Sequence, residues 1–379
     1  MSADAPRLLF VVTEDWYFVS HRLPLAIAAR DAGYRVAVAT RVQDHAATIA
    51  EAGVELIDLK RWRRSSMNPL RELGAVAELA GVVRRFRPDI VHLVALKPVL
   101  YGALAARLGG ARARVNALAG MGFVFVQDRP LARLLRPLIE LAFRWTLGGD
   151  RAVTIVQNPD DRDLLVIERL VDGSHLRLIR GSGVDLDRFS VTELPAGRPI
   201  VLLMSRMLWD KGLAEFVEAA RLAKERGADA RFVLVGDPDP ENPAAIPREL
   251  LKRWSDSSVI EWWGPRSDAP AVLAQARIVV LPSYREGLPK VLLEAAASGR
   301  PMIATDVPGC REVVEPGVTG LLVPPRDAAG LAEAIVSLLA DPERCRRMGT
   351  QARQLAEREF GVGVVVARTL DVYRELLAR

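Results

Sequence analysis

Cysteine is nearly absent from this chain. Cys310 and Cys345 are its two thiols, too few for a disulfide scaffold or a cysteine zinc site, and a reducing compartment fits best. Histidine is scarce as well, at His21, His45, His92 and His175. No uncharged apolar run approaches the ~20 residues that a membrane-crossing helix needs. The amino-terminal stretch MSADAPRLLFVVTEDW places an acid before its apolar run and another soon after, which makes it a poor signal peptide. These absences predict a cytoplasmic protein; if it works at a membrane, it lies on the cytoplasmic face of the inner membrane rather than crossing it.

The remaining composition is that of a globular protein, and 379 residues exceed what one hydrophobic core usually serves. Two domains of similar size are expected. The net charge of +5 is unevenly placed: residues 1–180 carry 26 Lys and Arg against 19 Asp and Glu, whereas residues 181–379 carry 26 against 28. A basic first half favours anionic partners such as phospholipid, diphosphate or nucleic acid. A solvated, arginine-rich surface is the plainer alternative.

Short apolar runs alternate with helical patterns. RLLFVV (7–12), RVAVAT (35–40), a run near 54–59 and DIVHLV (89–94) read as buried strands, with helices expected at 21–32, 44–52, 69–86 and 98–108. The pattern restarts with PIVLLM (199–204), RFVLV (231–235) and strands near 258–262, 277–281, 301–304 and 320–323. Helices are expected at 212–226, 268–275, 289–298, 327–340 and 363–378. The stretch GSGVDLDRFSVTELPAGR (181–198) is turn-rich, as linkers are. The fold class is therefore α/β, two Rossmann-like domains with parallel sheets facing a central cleft. Ligands in such sheets sit beyond the carboxyl ends of the strands.

One such place is SYREGLPKVLLEAAASGRP (283–301). Glu286 falls in a loop leaving a strand, Pro289 suits a first helical turn, and Glu294 lies inside the helix. Amides at 287–290 and the helix dipole make an anion site. Two carboxylates flanking a phosphate cradle suit a diphosphate with a sugar at each end, a nucleotide sugar. The plainer alternative is an exposed loop acid and a surface helix acid.

The same residues resemble the E-x7-E signature of retaining glycosyltransferase family 4. The resemblance continues through Val307–Val314 and Gly317–Pro324, through Ser205-Arg206-Met-Leu-Trp-Asp-Lys211-Gly212, and through Gly183-Val-Asp185-Leu-Asp-Arg-Phe189. It implies a GT-B fold: an acceptor-binding domain over 1–185, a nucleotide-sugar domain over 186–362, and a helix at 363–379 packing back on the first. Carried over by motif, Arg206 and Lys211 would contact the donor diphosphate, Glu286 the donor-sugar hydroxyls, and Glu294 the ribose. Gly287, Leu288, Pro289 and Lys290 would line the phosphate and sugar. No metal or other cofactor is implied, and Asp237-Pro-Asp239 reads as a turn rather than a metal motif.

The first domain departs from the family pattern. Where many members have His-Gly, this chain has Ala119-Gly120, so an acid/base histidine there is in doubt. WYFVSHRLPL (16–25), the loop from Gly120 through Gly122 to Phe125, QNPDD (157–161) and Gly181–Asp185 are similar to a bacterial subgroup that assembles polysaccharides and lipid-linked oligosaccharides, often from UDP-N-acetylhexosamines. Glu14 and Asp15 offer an acceptor base or an acidic turn, and His21 a cleft-facing group or a cap. Lys97 offers an acceptor-phosphate ligand or a solvated lysine. Residues 129–147 (RPLARLLRPLIELAFRWTL), with Lys60–Arg64 and Arg84–Arg87, suit an anionic membrane surface or a core helix with arginines outward. The expected function is transfer of a hexose or N-acetylhexosamine from a UDP-sugar to a glycan or lipid-linked acceptor. Epimerisation of a nucleotide sugar is the alternative on the same fold. A nucleic-acid-binding module is disfavoured by the absence of zinc-finger, RNP-like or long basic-helix patterns.

Overall fold

The computed structural model describes residues 5–64, 68–120 and 140–379. The chain divides into two compact units, residues 1–182 with 363–379, and residues 183–362.

Among its described residues the first unit contains seven strands: β1 (Arg7–Glu14), β2 (Arg35–Arg41), β3 (Glu55–Asp58), β4 (Ile90–Val94), β5 (Ala113–Ala117), β6 (Ala152–Val156) and β7 (Leu176–Leu178). Every pairing is parallel, in the order β3-β2-β1-β4-β5-β6-β7. Leu8 to Val12 and all of β4 are buried, because crossover helices cover both faces of such a sheet. One face packs on helices Pro69–Phe86 and Leu96–Gly109, the other on Leu23–Asp31 and the carboxyl-terminal helix Val362–Ala378. That last helix inserts Tyr373 beside His92 of β4, where the two share a hydrogen bond. Phe10 stacks on the same imidazole at 5.0 Å. Burial, and then the nearby Arg22 guanidinium, hold His92 well below the usual histidine range, so it stays neutral in the core. Arg177 Nη2 donates to both carboxylate oxygens of Glu375, at 2.8 and 2.9 Å.

The second unit has β8 (Ile200–Met204), β9 (Arg231–Val235), β10 (Glu261–Trp262), β11 (Ile278–Leu281), β12 (Met302–Thr305) and β13 (Gly320–Val323). They pair in parallel as β10-β9-β8-β11-β12-β13. In each sheet the winding direction reverses once, between β1 and β4 and between β8 and β11. Such a reversal opens a crevice beyond the strand ends where ligands are held.

The fold differs locally from the sequence expectation in three places. The helix expected at 21–32 is Leu23–Asp31, and a further helix, Asp15–His21, precedes it; the two do not run on because Pro24 has no N–H to continue the first. The strand near 258–262 shrinks to Glu261–Trp262, since Ser258 turns left-handed at φ 59°. The alternation also continues through β5, β6 and β7, short strands of mixed composition such as ARVNA.

Candidate active site

In the second unit the reversal lies between two loops. The first leaves β8, passes Arg206, and makes a short 3-10 turn, Trp209–Lys211. Gly212 ends that turn at φ 70°, and a Cβ there would overlap the carbonyl oxygen of Pro282. Glycine is thus needed twice over, for the left-handed backbone and for close approach to the loop leaving β11. The two loops are also joined by the Tyr284 amide, which donates to the Asp210 carbonyl at 2.9 Å.

This clamp brings together side chains 75 residues apart: Lys211 Nζ donates to Glu286 Oε1. Both side chains are mostly buried, 19% and 11% exposed. Charge-assisted bonds between partly desolvated groups are the stronger kind. Tyr284 braces the Glu286 loop from the other side: its hydroxyl donates to Glu215 Oε1 at 2.7 Å and Arg326 lies 4.7 Å over its ring. Burial first, and then the bond to Glu215, push the Tyr284 hydroxyl up to about 12.

Helix Lys290–Ala297 follows, preceded by Pro289. Glu294 is buried in it. Burial raises its carboxyl above the usual glutamate range, while Lys290 (3.6 Å) and Arg188 pull the other way. Arg206, on the loop leaving β8, is half exposed, with Nη1 2.9 Å from Asp239 Oδ2. The loop leaving β12 closes over the Glu286 turn. Thr305 Oγ1 donates to the Ser283 carbonyl. Gly309, at φ 80°, lies so close that a Cβ would overlap the carbonyl oxygens of Gly287 and Glu286. Cys310 is buried beside it, and burial with the Glu286 charge raises its thiol strongly.

The structure therefore groups Arg206, Lys211, Glu286, Gly287, Leu288, Pro289, Lys290 and Glu294 around one switch point. Sequence reading missed Asp239, Glu215, Tyr284, Arg326 and Gly309. Asp239 sat in a loop read as a plain turn; its signal was its place just after β9, next to the Arg206 strand. Among the described residues no group of three His, Cys, Asp or Glu side chains could hold a metal ion, and no helix is long and apolar enough to cross a membrane.

In the first unit, Glu14 ends β1 and Asp15 starts the next helix. Glu14 is buried, accepts from Gln43 Nε2 at 2.7 Å and faces Arg41 at 3.5 Å. Asp15 is fully buried; it accepts from the backbone amides of Trp16, Gln43 and His45 at 2.7 to 3.0 Å. Its carboxylate organises the loop after β2. His21 stacks on Tyr17 at 4.1 Å and bonds Ser20. Lys97 opens the helix after β4, bonds Glu72 at 2.9 Å and the Arg63 carbonyl, and lies over Trp62 and Tyr101. Just before it, Ala95 is held at φ 73°, ψ 169°, a conformation that only glycine adopts freely and that persists where the surroundings enforce it. Gly120, at φ 120°, follows β5. Gly122 and residues 129–139 lie outside the described residues.

Two switch-point sheets and a cation–carboxylate cluster at the second define the class as glycosyltransferase of the GT-B fold. More particularly, residues 7–156 match the family described as "Glycosyl transferase 4-like". Residues 198–341 match "Glycosyl transferases group 1", and the two matches together identify the chain as a glycosyltransferase. A Campylobacter jejuni N,N'-diacetylbacillosaminyl-diphospho-undecaprenol alpha-1,3-N-acetylgalactosaminyltransferase is 28% identical over 94% of this chain and 95% of its own. An Escherichia coli UDP-Gal:alpha-D-GlcNAc-diphosphoundecaprenol alpha-1,3-galactosyltransferase is 24% identical over 81% of each. Among solved structures, Anabaena HepE in complex with UDP and glucose superposes with a TM-score of 0.77, at 18% identity, over 97% of this chain and 99% of that one. This last likeness shows the fold alone.

Proposed function

We propose that the protein transfers an N-acetylhexosamine or hexose from a UDP-sugar to a hydroxyl of an undecaprenyl-diphosphate-linked saccharide, with retention at the anomeric carbon, in cell-surface polysaccharide assembly. The observation that carries this reading is the Lys211–Glu286 pair, drawn from two loops to the β8–β11 switch point. The substrates in the names of the C. jejuni and E. coli relatives support the donor and acceptor classes.

In this reading Arg206, Lys211 and the positive end of helix Lys290–Ala297 receive the diphosphate. Glu286 accepts from donor-sugar hydroxyls and Glu294 from ribose hydroxyls. The bond from the anomeric carbon to the diphosphate oxygen breaks and its electron pair leaves with UDP. The acceptor oxygen bonds that carbon from the same face, and its proton passes to the departing diphosphate. Fixed cations stabilise the leaving charge, so the reaction is expected to proceed in EDTA. Acceptor recognition falls to the first unit, around Lys97, Gly120 and the loops after β1. Contact with the cytoplasmic face of a membrane follows from a lipid-linked acceptor.

Thermal-shift screening against UDP-sugars selects the donor, because a ligand of the native state raises its melting temperature by mass action. Incubation of that donor with an undecaprenyl-diphosphate-linked saccharide should then release UDP, and NMR of the product should show the donor's anomeric configuration. No transfer to any lipid-linked saccharide, or an inverted product, would overturn the corresponding part of the proposal.

A further inference from the structure

Leu70 and Leu73 are 80% and 63% exposed, in the first turns of helix Pro69–Phe86. Beside them lies a shallow basin of about 450 Å³ lined by Lys60, Arg61, Arg63, Leu70, Arg71 and Gly74. The carboxylates of this region are already engaged. Asp58 pairs with Lys60, Glu72 is buried against Lys97, and Glu78 accepts from the backbone amides of Lys60 and Arg61 at 2.9 Å each. Arg63 reaches backbone carbonyls. Lys60, Arg61, Arg63 and Arg71 still outnumber Asp58 and Glu78 here, so the basin keeps a net positive charge around exposed leucine, a combination suited to phosphate groups above an acyl boundary.

Its place in the unit adds a second argument. A crossover helix runs antiparallel to its strands and begins at their carboxyl edge. The bond from Lys97 to Glu72 joins the first turns of two such helices, so the basin backs onto the β1–β4 switch point. The described part of the 129–147 stretch sits elsewhere. Exposed Leu141 and Trp145 (61% and 45%) precede Gly148, whose carbonyl accepts from Arg114 near the start of β5, at the amino edge of the sheet.

We propose that the basic, leucine-bearing face around Leu70 and Arg71 docks on an anionic phospholipid surface. Its leucines enter the interface and its arginines take lipid phosphates, which sets a membrane-embedded acceptor beside the β1–β4 switch point. Only the purpose of the docking rests on the functional reading above.

Sedimentation of the full chain with vesicles tests it. Wild type should bind vesicles of phosphatidylcholine with phosphatidylglycerol and not phosphatidylcholine alone. Arg61→Gln with Arg71→Gln should weaken binding roughly thirtyfold, the effect of two cations at about 1 kcal/mol each. Leu70→Ser with Leu73→Ser should weaken it too, at unchanged net charge. Both double variants should keep the wild-type thermal shift with UDP, which reports an intact fold, and should lose transfer only to acceptor presented in vesicles. Unchanged binding by both variants, equal binding to neutral vesicles, or no vesicle binding by wild type overturns the docking surface while leaving the transfer reaction standing. Absence of a UDP shift in wild type strikes the functional reading instead.

Discussion

At the scale of single residues, the site is a set of charges whose neighbours decide their worth. Lys211 and Glu286 pair with each other in the free protein and are mostly out of water, so each is held in place by the other before a donor arrives. Lys211→Ala should lower transfer on the order of 10² to 10³-fold, the usual loss when a fixed charge-stabilising donor is removed. Circular dichroism and melting should show the fold retained. Glu294 makes the opposite case. Burial raises its carboxyl, so across the window from the ordinary glutamate value of about 4.3 up to the raised value, the native state holds more proton than the unfolded chain. Stability then falls as pH rises through that window, and the full penalty stands above the raised value. Glu294→Gln should therefore melt higher than wild type at pH 7, by about 2–4 °C per kcal/mol regained, with the gap closing in acid, yet bind the UDP-sugar more weakly. Equal melting temperatures at both pH values would count against this account. The acids themselves were legible in sequence because one stood in a strand-end loop and the other in an apolar helix; the bonds that brace the loops around them were not, since Glu215 lies 69 residues from Tyr284 and Asp239 lies 33 from Arg206.

At the scale of elements, three loops leaving parallel strands are packed backbone to backbone. Gly212 against Pro282 and Gly309 against Glu286 and Gly287 leave no room for a side chain, and each has positive φ. Gly309→Ala is expected to push the loop after β12 off the Glu286 turn. Donor KM, measured by initial rates, should rise at least tenfold, and stability should fall by about 1–3 kcal/mol. Pro289 and the apolar run after it marked the helix that carries Glu294, so that loop-and-helix pair was readable from local chemistry. The break at Arg22 and the shortening of β10 were less so. Both hang on one residue's backbone, Pro24 and Ser258, inside a stretch whose average pattern pointed elsewhere.

At the scale of the whole molecule, the two units depend unequally on the chain's end. Residues 363–379 belong to the first unit, where Val365, Leu370, Val372, Tyr373 and Leu376 are buried. At about 1.5–3 kcal/mol each, their removal forfeits on the order of 10 kcal/mol, comparable to a domain's entire stability. Truncation before Gly363 should thus leave the first unit open to limited proteolysis while the second unit still resists it and still shifts with UDP. By itself the sequence determined the alternation of buried strands and amphipathic helices, the two-unit plan, and the motif-bearing loops. These follow from periodicity, from proline and glycine, and from residues a few positions apart. Which strands lie side by side was decided only by tertiary structure, and with it the meeting of Lys211 with Glu286, of Arg206 with Asp239 and of His92 with Tyr373. Strand order is a property of long-range packing. A pattern local to each strand carries no record of its neighbour.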